Sequence, residues 1–371
     1  EPSTLQVQEN GKISELVIFP WATIDYDNQQ EIVPLLADVY SNSQNDQLES
    51  SIRKLESAFS EAISRLLWPK SKSIAVLKGN GELNDAFLAD FLTEAGRSYH
   101  LAPFTLDSVT TAPQKTAEAL NEFDLIIIAK PTEKFSEQEK LVIDQYIMQG
   151  GRSLWLIDPV HAELDSLMTT GESLAYARDL NLTDLFFSYG ARINYDLIRD
   201  RFCTTIALAT GQVGNQTQFN NFPWMYNPLA PGIGNHLITK NIQPVNHQFV
   251  SSIDTLHNSI KKTVLLRSSP NSKAIGLPAI IDLNSIRNYE ETASYADGLK
   301  TTAVLLEGQF TSAYKNRTLP FGVNTYKTEG ANTAMIIIAD GDMIANELVG
   351  GVPSELGLNR WTNERYGNKE F

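Results

Sequence analysis

Residues 123–160 constrain the fold more than any other part of the chain; they read FDLIIIAKPTEKFSEQEKLVIDQYIMQGGRSLWLIDPV. Two short apolar runs, Leu125–Ala129 and 153–157, lack polar alternation, which is typical of parallel strands covered by helices on both faces. Between them, Ser136 and Glu139 form a capping-box pattern, apolar residues follow at helical spacing, and a Gly-Gly pair supplies a left-handed stop. The segment therefore predicts a strand–helix–strand unit with two adjacent, parallel strands.

The alternation of strand and helix also precedes this unit. Strand patterns at 74–77 and 100–106 alternate with helix patterns, of which the first is expected to be capped by Asn84 and ended by Gly96. Such alternation is the signature of a parallel α/β sheet. We divide the chain into an extension with an amphipathic helix (1–69), the core of the α/β domain (70–160) and a continuation of that domain (161–371).

Composition excludes several classes of protein. The net charge of −14 argues against a nucleic-acid surface, and the single cysteine, Cys203, excludes an internal disulfide and a cysteine-based zinc cluster. No apolar run approaches the ~20 residues that cross a bilayer. The ends of the sequence suggest a soluble piece of a longer protein, with any membrane segments outside it.

Carboxylates follow several predicted strands: Glu82, Asp158, Glu307, Asp340 and Asp342. If the strands are parallel, these side chains share one edge of the sheet, where ligands usually bind. Carboxylate oxygens there could hold a hard cation such as Mg²⁺ or Ca²⁺. Asp-Pro and Asp-Gly are also ordinary turn sequences, which favours a structural role, and we predict no metal site.

No catalytic residue can be assigned. Lys130 and Pro131 follow the first strand of the strand–helix–strand unit, where an amidotransferase-like or hydrolase-like sheet would carry a nucleophilic Cys or Ser. Cys203 has no neighbouring base and is expected in the core, and His161 has no nucleophile as partner. The loop sequence GNGE lacks a complete phosphate-binding motif, although Asn80 and Glu82 within it are candidate ligand contacts. We predict no cofactor.

An aromatic insertion at 211–234 is the strongest candidate for a binding surface. It is rich in Asn, Gln, Gly and Pro, and we predict a long irregular loop or hairpin. Because exposed aromatic residues are enriched at interfaces, Phe222, Trp224 and Tyr226 are predicted to contact a partner, either a second copy or a transporter. The alternative is that the insertion folds back and buries them.

Several segments together resemble the gliding-motility-associated auxiliary proteins of bacterial ABC transporters, the GldG family. They are IFPWATIDY (18–26), GNGE (79–82), GGRSLWLIDPV (150–160), LTDLFFSYGARIN (182–194), NNFPWMYNPL (220–229) and SSPNSK (268–273). The resemblance implies a domain similar to the GIFT domain of intraflagellar-transport proteins, related to class I glutamine-amidotransferase sheets without their catalytic residues. It also implies a membrane-anchored protein on the periplasmic side, beside a permease and an ATPase. Relatives often carry His where this chain has Asn80.

We therefore predict a flavodoxin-like α/β sheet with an N-terminal extension and a C-terminal α/β supplement. The predicted function is that of a non-enzymatic, extracytoplasmic auxiliary subunit of an ABC-type system, acting through protein contacts, with a homo-oligomer possible. One alternative is a hydrolase or transferase that uses the carboxylate edge, with or without a metal. Another is a solute- or glycan-binding receptor.

Overall fold

The structure is a computed structural model that describes residues 3–9, 12–36, 44–68, 70–214, 216–234, 236–287, 292–360 and 362–371. The chain forms two compact units, Glu1–Ser71 and Lys72–Phe371.

The first unit contains two antiparallel hairpins and one long helix. The hairpins pair β1 (Ser3–Glu9) with β2 (Lys12–Ile18) and β3 (Trp21–Tyr26) with β4 (Gln29–Pro34), and α1 spans Gln44–Leu67. Asp27 and Asn28 between β3 and β4 both have positive φ, as a two-residue type I′ turn requires. The amphipathic helix predicted at 46–68 is therefore confirmed.

The second unit begins with the predicted alternation of strands and helices. Its first elements are β5 (Ser73–Lys78), α2 (Ala89–Ser98), β6 (His100–Thr105), α3 (Pro113–Leu120), β7 (Leu125–Ala129), α4 (Glu137–Met148) and β8 (Arg152–Leu156). The capping box is present at α4, because Ser136 Oγ accepts from the Glu139 amide at 3.2 Å and the Glu139 carboxylate accepts from the Ser136 amide at 2.6 Å.

The predicted ends of α2 are wrong. Asn84 Oδ1 accepts a hydrogen bond from the amide of Ala86 at 3.0 Å, which makes a local turn, and the helix begins only at Ala89. Gly96 lies inside the helix, which continues to Ser98.

The remaining elements include the last three strands of the large sheet, β17, β20 and β21. In chain order the elements are β9 (Val160–His161), α5 (Leu164–Thr170), β10 (Glu172–Ala177), α6 (Thr183–Tyr189), β11 (Ala191–Ile193), β12 (Asp196–Asp200), β13 (Cys203–Val213), β14 (Gln216–Ala230), β15 (Val245–Asn246), β16 (Ile253–Thr255), β17 (Lys261–Arg267), β18 (Ser272–Gly276), β19 (Ala279–Asp282), β20 (Thr301–Thr311), β21 (Glu329–Ile338), β22 (Leu348–Val349), β23 (Val352–Pro353), β24 (Leu358–Asn359) and β25 (Glu364–Arg365). Short 3-10 helices occur at Asp107–Thr110, Leu283–Arg287 and Thr292–Ser294.

A seven-stranded mixed sheet organises the second unit, in the order β17-β20-β21-β8-β7-β5-β6. Strands β6, β5, β7, β8 and β21 are parallel neighbours, whereas β20 and β17 extend the sheet antiparallel. β7 and β8 are adjacent and parallel, as predicted, with Leu125 opposite Arg152 and Ala129 opposite Leu156. The α/β prediction is thus confirmed. The chain order reverses between β5 and β7, which makes their carboxyl ends the switch point of the sheet.

Both faces of the sheet are buried, which explains the continuous apolar runs. Along β7, Ile126 and Ile128 belong to one core cluster, and Ile127 and Ala129 belong to another on the opposite face. Helix α4 contributes to the first cluster, and the second includes partly buried residues of α2.

Candidate functional site

The carboxyl edge of the parallel strands gathers most of the polar residues singled out in the sequence. β7, β8 and β21 end side by side, so that Lys130, Asp158 and the turn Asp340–Asp342 become neighbours. Glu307 is not among them. Strand β20 runs antiparallel to β21, and Glu307 instead pairs with Lys261 at 2.7 Å. The expectation that all five carboxylates share one edge therefore fails for Glu307.

The side chain of Lys130 lies between these carboxylates. The ammonium of Lys130 lies 2.7 and 2.8 Å from the two carboxylate oxygens of Asp342, 3.1 Å from Glu163 and 3.5 Å from Asp158. The Lys130 side chain is only 8% exposed. We call these four residues the Lys130 cluster. Nowhere in the described ranges do three or more His, Cys, Asp or Glu side chains form a group suited to a metal.

The backbone of Lys130 is held in an uncommon conformation. Its φ is +53°, in the left-handed region that non-glycine residues seldom adopt. The Lys130 amide donates to the carbonyl of Leu156 at 2.9 Å, which ties the turn after β7 to the end of β8. Such a backbone costs on the order of 1–3 kcal/mol.

Gly341 allows the turn after β21 to approach this lysine. A Cβ atom at Gly341 would lie 2.6 Å from Lys130 Cγ and 2.9 Å from Asp158 Cγ, closer than real Cβ contacts. The Gly341 amide donates to a carboxylate oxygen of Asp158. Close backbone approach therefore requires glycine here.

Asp340 belongs to a second, fully buried group beside the cluster. Its carboxylate is 2.7 Å from His247 Nδ1 and accepts from the amides of Gln248 at 3.1 Å and Asp342 at 2.9 Å. His247 Nε2 lies 3.0 Å from the hydroxyl of Thr302. Asp340 thus holds the turn after β21 against the segment 247–248 and strand β20.

Burial and the neighbouring charges together set the pKa values in the cluster. It raises the pKa of Asp158, with repulsion from Asp342 acting in the same direction, and it also raises the pKa of Asp342. Burial alone would lower the pKa of Lys130, but attraction by Asp342, Asp158 and Glu163 outweighs it and raises that pKa. The lysine therefore remains an ammonium ion, whereas a nucleophilic lysine needs a lowered pKa.

The GNGE loop lies at the switch point, after β5. The Asn80 amide donates to Glu82 at 2.8 Å, and the Asn80 carbonyl accepts from the amides of Thr132 and Glu133, both at 2.9 Å. Burial raises the pKa of Glu82. Asn80 Oδ1 and Glu82 Oε1 are buried without a hydrogen-bond partner. These two predicted residues come together with the turn after β7, and their role as ligand contacts stays a prediction.

The aromatic insertion is regular and largely internal. Residues 216–230 form β14, which pairs with β13, so the hairpin alternative is confirmed and the expectation of an irregular loop is wrong. Trp224 is 2% exposed, and its ring centroid lies 5.2 Å from Tyr226 and 6.4 Å from Phe249. The prediction that Trp224 and Tyr226 expose a partner surface is therefore wrong, although Phe222 is half-buried and Phe219 is exposed.

The other two candidates lie apart from the cluster. Cys203 is half-buried, and burial raises its pKa to about 12, so the thiol stays protonated. His161, on β9, packs its ring against Tyr176 at a centroid distance of 4.7 Å. Lys130, Glu163 and His247 were not predicted as site residues. For Lys130, the available signal was a basic residue directly after a buried strand.

The chain is an auxiliary component of an ABC-type transport system. It belongs to the family described as "ABC-type uncharacterized transport system", which its residues 71–371 match. The resemblance seen in the sequence is thereby confirmed at the level of this family. A search of curated proteins found no match.

Among solved structures, the chain is similar to one titled "mmIFT52 N-terminal domain". The identity is 13% over 73% of this chain and 88% of that chain, with a TM-score of 0.42. No helix in the described ranges is both long and apolar enough to span a membrane.

Proposed function

We propose that this protein is a non-catalytic auxiliary subunit that acts on the periplasmic side of an ABC-type transporter, where it contacts the permease of a complex that also contains the ATPase. A gliding-associated system is the proposed setting, from the sequence resemblance. The observation that carries the non-catalytic assignment is the Lys130 cluster: the edge where a related enzyme would bind its substrate is filled by the protein's own side chains.

The chemistry of this edge supports the proposal. Catalysis by a nucleophile needs a reactive group that substrate can reach and a base beside it. Lys130 is buried and protonated, and Asp158 and Asp340 are buried as well. Their contacts join the ends of three strands, which is a structural role.

An exposed apolar surface supports action through protein contacts. Leu174 on β10 and Ile280 on β19 are directly opposite each other in the register, and they are 56% and 69% exposed. Tyr176, two residues further along β10, is also exposed. A contiguous apolar surface of this kind is typical of an interaction site. We propose the permease of the same system as the partner of this Leu174 surface.

Co-purification of the full-length protein from membranes tests the proposal. We expect the tagged protein to retain the permease and the ATPase, and the double substitution Leu174→Asp and Ile280→Asp to release them. Leu299→Asp is the matched control, because Leu299 is an equally exposed leucine (53%) elsewhere. Retention of both subunits by the double variant would contradict the Leu174 surface. Their absence from the unaltered protein would contradict the auxiliary function itself.

One observation favours a second candidate function, that of a hydrolase or transferase that uses the carboxylates at this edge of the sheet. Raised pKa values at buried acids, such as those of Asp158 and Asp342, also occur at active sites. Titration with Mg²⁺ and Ca²⁺ distinguishes the two functions. We expect no saturable heat, because the Lys130 ammonium occupies the position between the carboxylates. Saturable binding that Asp158→Ala abolishes would favour the enzyme.

A further inference from the structure

The Leu174 surface borders an open strand edge. β19, β10 and β9 form a three-stranded sheet in this order, so β19 lies at its edge. The Leu283 amide donates to the Gly171 carbonyl at 3.0 Å, next to the registered pair of Glu172 and Asp282. In an antiparallel ladder, hydrogen-bonded pairs alternate with non-hydrogen-bonded pairs. The backbone groups of Asp282 and Ile280 therefore point away from β10.

The backbone groups on this edge of β19 are available to another strand. In the part of the chain that the structure describes, no hydrogen bond reaches the amide or the carbonyl of Ile280. The Asp282 amide is open in the same way, whereas the Asp282 carbonyl accepts from Ser285 Oγ at 2.6 Å. An edge with unpaired backbone groups is a template for strand addition. Backbone bonds align the added segment, and the side chains beside them select it.

The core supports the surface from the other side of the sheet. On that face of the same strands, Ala175 and Ile281 are 0% and 1% exposed and belong to one core cluster. At the far end of β10, the Tyr176 ring packs against His161 on β9. A surface that is already ordered loses little conformational entropy on binding.

Two acids lie at the other end of the apolar surface. Glu172 and Asp282 are directly opposite each other, and they share the exposed face with Leu174 and Ile280 because side chains alternate along a strand. Like charges at such positions repel each other. Among the described residues, neither carboxylate has a basic partner, and Asp282 accepts from the Asn284 amide at 2.8 Å. This end of the surface therefore attracts a cation, and the net charge of −14 strengthens the attraction.

We propose that β19 binds an extended segment of the permease as a fourth strand of this sheet. A Lys or Arg side chain of the segment lies against Glu172 and Asp282, and an apolar side chain two residues away lies against Leu174 and Ile280. Residues two apart share one face of a strand at a spacing of about 7 Å, which matches the spacing of the acids and the apolar residues.

This inference rests on the auxiliary function proposed above and specifies the segment that is bound. Charge complementarity favours a basic segment of another protein over a second copy of this acidic chain. It also disfavours an anionic membrane surface, which attracts basic and not acidic residues.

Calorimetric titration of the 371-residue chain with heptapeptides tests the side chains of such a segment. The first probe is acetyl-Thr-Lys-Thr-Val-Thr-Val-Thr-amide, in which the Lys and Val side chains share one face. The second probe has Glu in place of Lys. The third, acetyl-Thr-Val-Lys-Val-Thr-Thr-Thr-amide, has the composition of the first with Lys on the opposite face. We expect the first probe to bind at least tenfold more tightly than either of the others, with an advantage that falls as salt is added.

N-methylation of the peptide tests strand addition itself. A strand that pairs with an edge bonds it through one set of alternate amides. Two variants of the first probe carry N-methyl groups, one on both Val residues and one on the second and third Thr residues. Binding should be lost in one variant and kept in the other. Loss in the Val variant identifies antiparallel addition, and loss in the Thr variant identifies parallel addition. Equal affinities of the two variants would contradict an added strand.

Charge reversal on the protein locates the binding. The double substitution Glu172→Lys and Asp282→Lys should abolish binding of the Lys probe and create binding of the Glu probe, a gain that structural damage would not produce. Glu118→Lys with Glu122→Lys is the matched control, because it changes the net charge equally at two exposed acids elsewhere. If the double variant does not fold, Glu172→Lys decides alone, since Glu172 is exposed.

Four outcomes would overturn the proposal. Three concern the peptides: no saturable heat with the Lys probe, equal affinity for the Lys and Glu probes, and an unchanged preference for Lys after charge reversal. The fourth is a different occupant, shown by a dimer in sedimentation equilibrium that Ile280→Asp dissociates, or by vesicles of phosphatidylserine that bind the chain through this surface. Retention of the permease and ATPase without peptide binding would reject only the added strand and leave the auxiliary function standing.

Discussion

Two buried acidic groups in the second unit, the Lys130 cluster and Asp144, are stabilised in different ways. In the Lys130 cluster, carboxylates surround a cation. Asp144 on α4 is also fully buried, but its donors are neutral: Tyr189 Oη at 2.8 Å, Ser312 Oγ at 2.7 Å and the Ala313 amide at 2.9 Å. Burial raises the pKa of Asp144 as it does that of Asp158.

Because their partners differ, the two sites should respond differently to amino-acid substitutions. The hydroxyl donors of Asp144, on Tyr189 and Ser312, can turn to suit a different side chain, because hydroxyl groups both donate and accept. The charges of the Lys130 cluster cannot adapt in this way, since removal of the cation leaves carboxylates that repel one another in a dry environment. We expect the cluster to be the more fragile of the two.

The largest loss of stability should come from a substitution that introduces a buried carboxylate without any partner. Ile127→Asp places one in a central strand at a position that is 2% exposed. We expect a loss of at least about 4 kcal/mol in unfolding free energy, or no cooperative unfolding in urea. Ile127→Val is the control, with a loss of roughly 0.5–1.5 kcal/mol. A variant that unfolds like the parent would show that β7 is not central.

The next largest effect is expected at the cation of the cluster. Lys130→Met keeps most of the side-chain volume and leaves Asp342, Asp158 and Glu163 without their ammonium, which should cost about 3–5 kcal/mol. Part of this loss should be recovered at acid pH, as the carboxylates become neutral. Lys134→Met, which removes an exposed lysine paired with Asp179, should leave the unfolding midpoint unchanged. Equal midpoints for both variants would mean that the cluster contributes nothing.

A smaller effect is expected from crowding the same site without removing a charge. Gly341→Ala brings a methyl group against Lys130 and Asp158 and should cost roughly 1–3 kcal/mol through overpacking. Gly322→Ala is the control, because nothing lies within 4 Å of a Cβ atom there. If thermal unfolding shows no difference between the two variants, the close approach of the turn is wrong.

The smallest effect is expected at Asp144. Asp144→Asn keeps Oδ1 for Tyr189 and Ala313, and Ser312 Oγ can accept from the new amide. Gln145 Nε2 loses its acceptor at Oδ2 and keeps the carbonyl of Lys327, so the loss at neutral pH should be about 1–2 kcal/mol. Because the folded pKa of Asp144 lies above its ordinary value of 3.8, the folded chain retains a proton that the unfolded chain has released. Its contribution to stability therefore falls as pH rises from about 3.8 through the raised pKa.

The Asn variant should lack this part of the pH dependence. Denaturant unfolding of both proteins across that pH window measures the difference. If the two curves stay parallel, Asp144 has the same proton affinity in the folded and unfolded chains.

The β7–α4–β8 unit was predictable because its signals are local. The capping box of Ser136 and Glu139, the glycine pair and the two apolar runs lie within 40 residues, and each agrees with the others. The placement of Asp158, Asp340 and Asp342 on one edge followed from the parallel direction of β8 and β21.

The partner of these acids was not predictable from local patterns. Lys130 and Asp342 are far apart along the chain, and only the assembled sheet brings them together. At β14, the prolines suggested a loop, yet Phe222, Trp224 and Tyr226 recur every second residue, as side chains on one face of a strand do. There the period-two pattern prevailed over the turn propensity of the intervening residues.

The pairing of β8 with β21 has a consequence for the folding of the chain during its synthesis. β8 receives one neighbour, β7, as soon as it is synthesised, but the strand on its other side comes from the last part of the chain. At synthesis rates of about 5–20 residues per second, the backbone groups along that side of β8 have no strand to pair with for on the order of ten seconds or longer. During this interval the nascent chain presents an apolar, unpaired strand edge, which is a template for aggregation. Protein released before residue 329 would keep that edge permanently, so premature termination is expected to yield insoluble product.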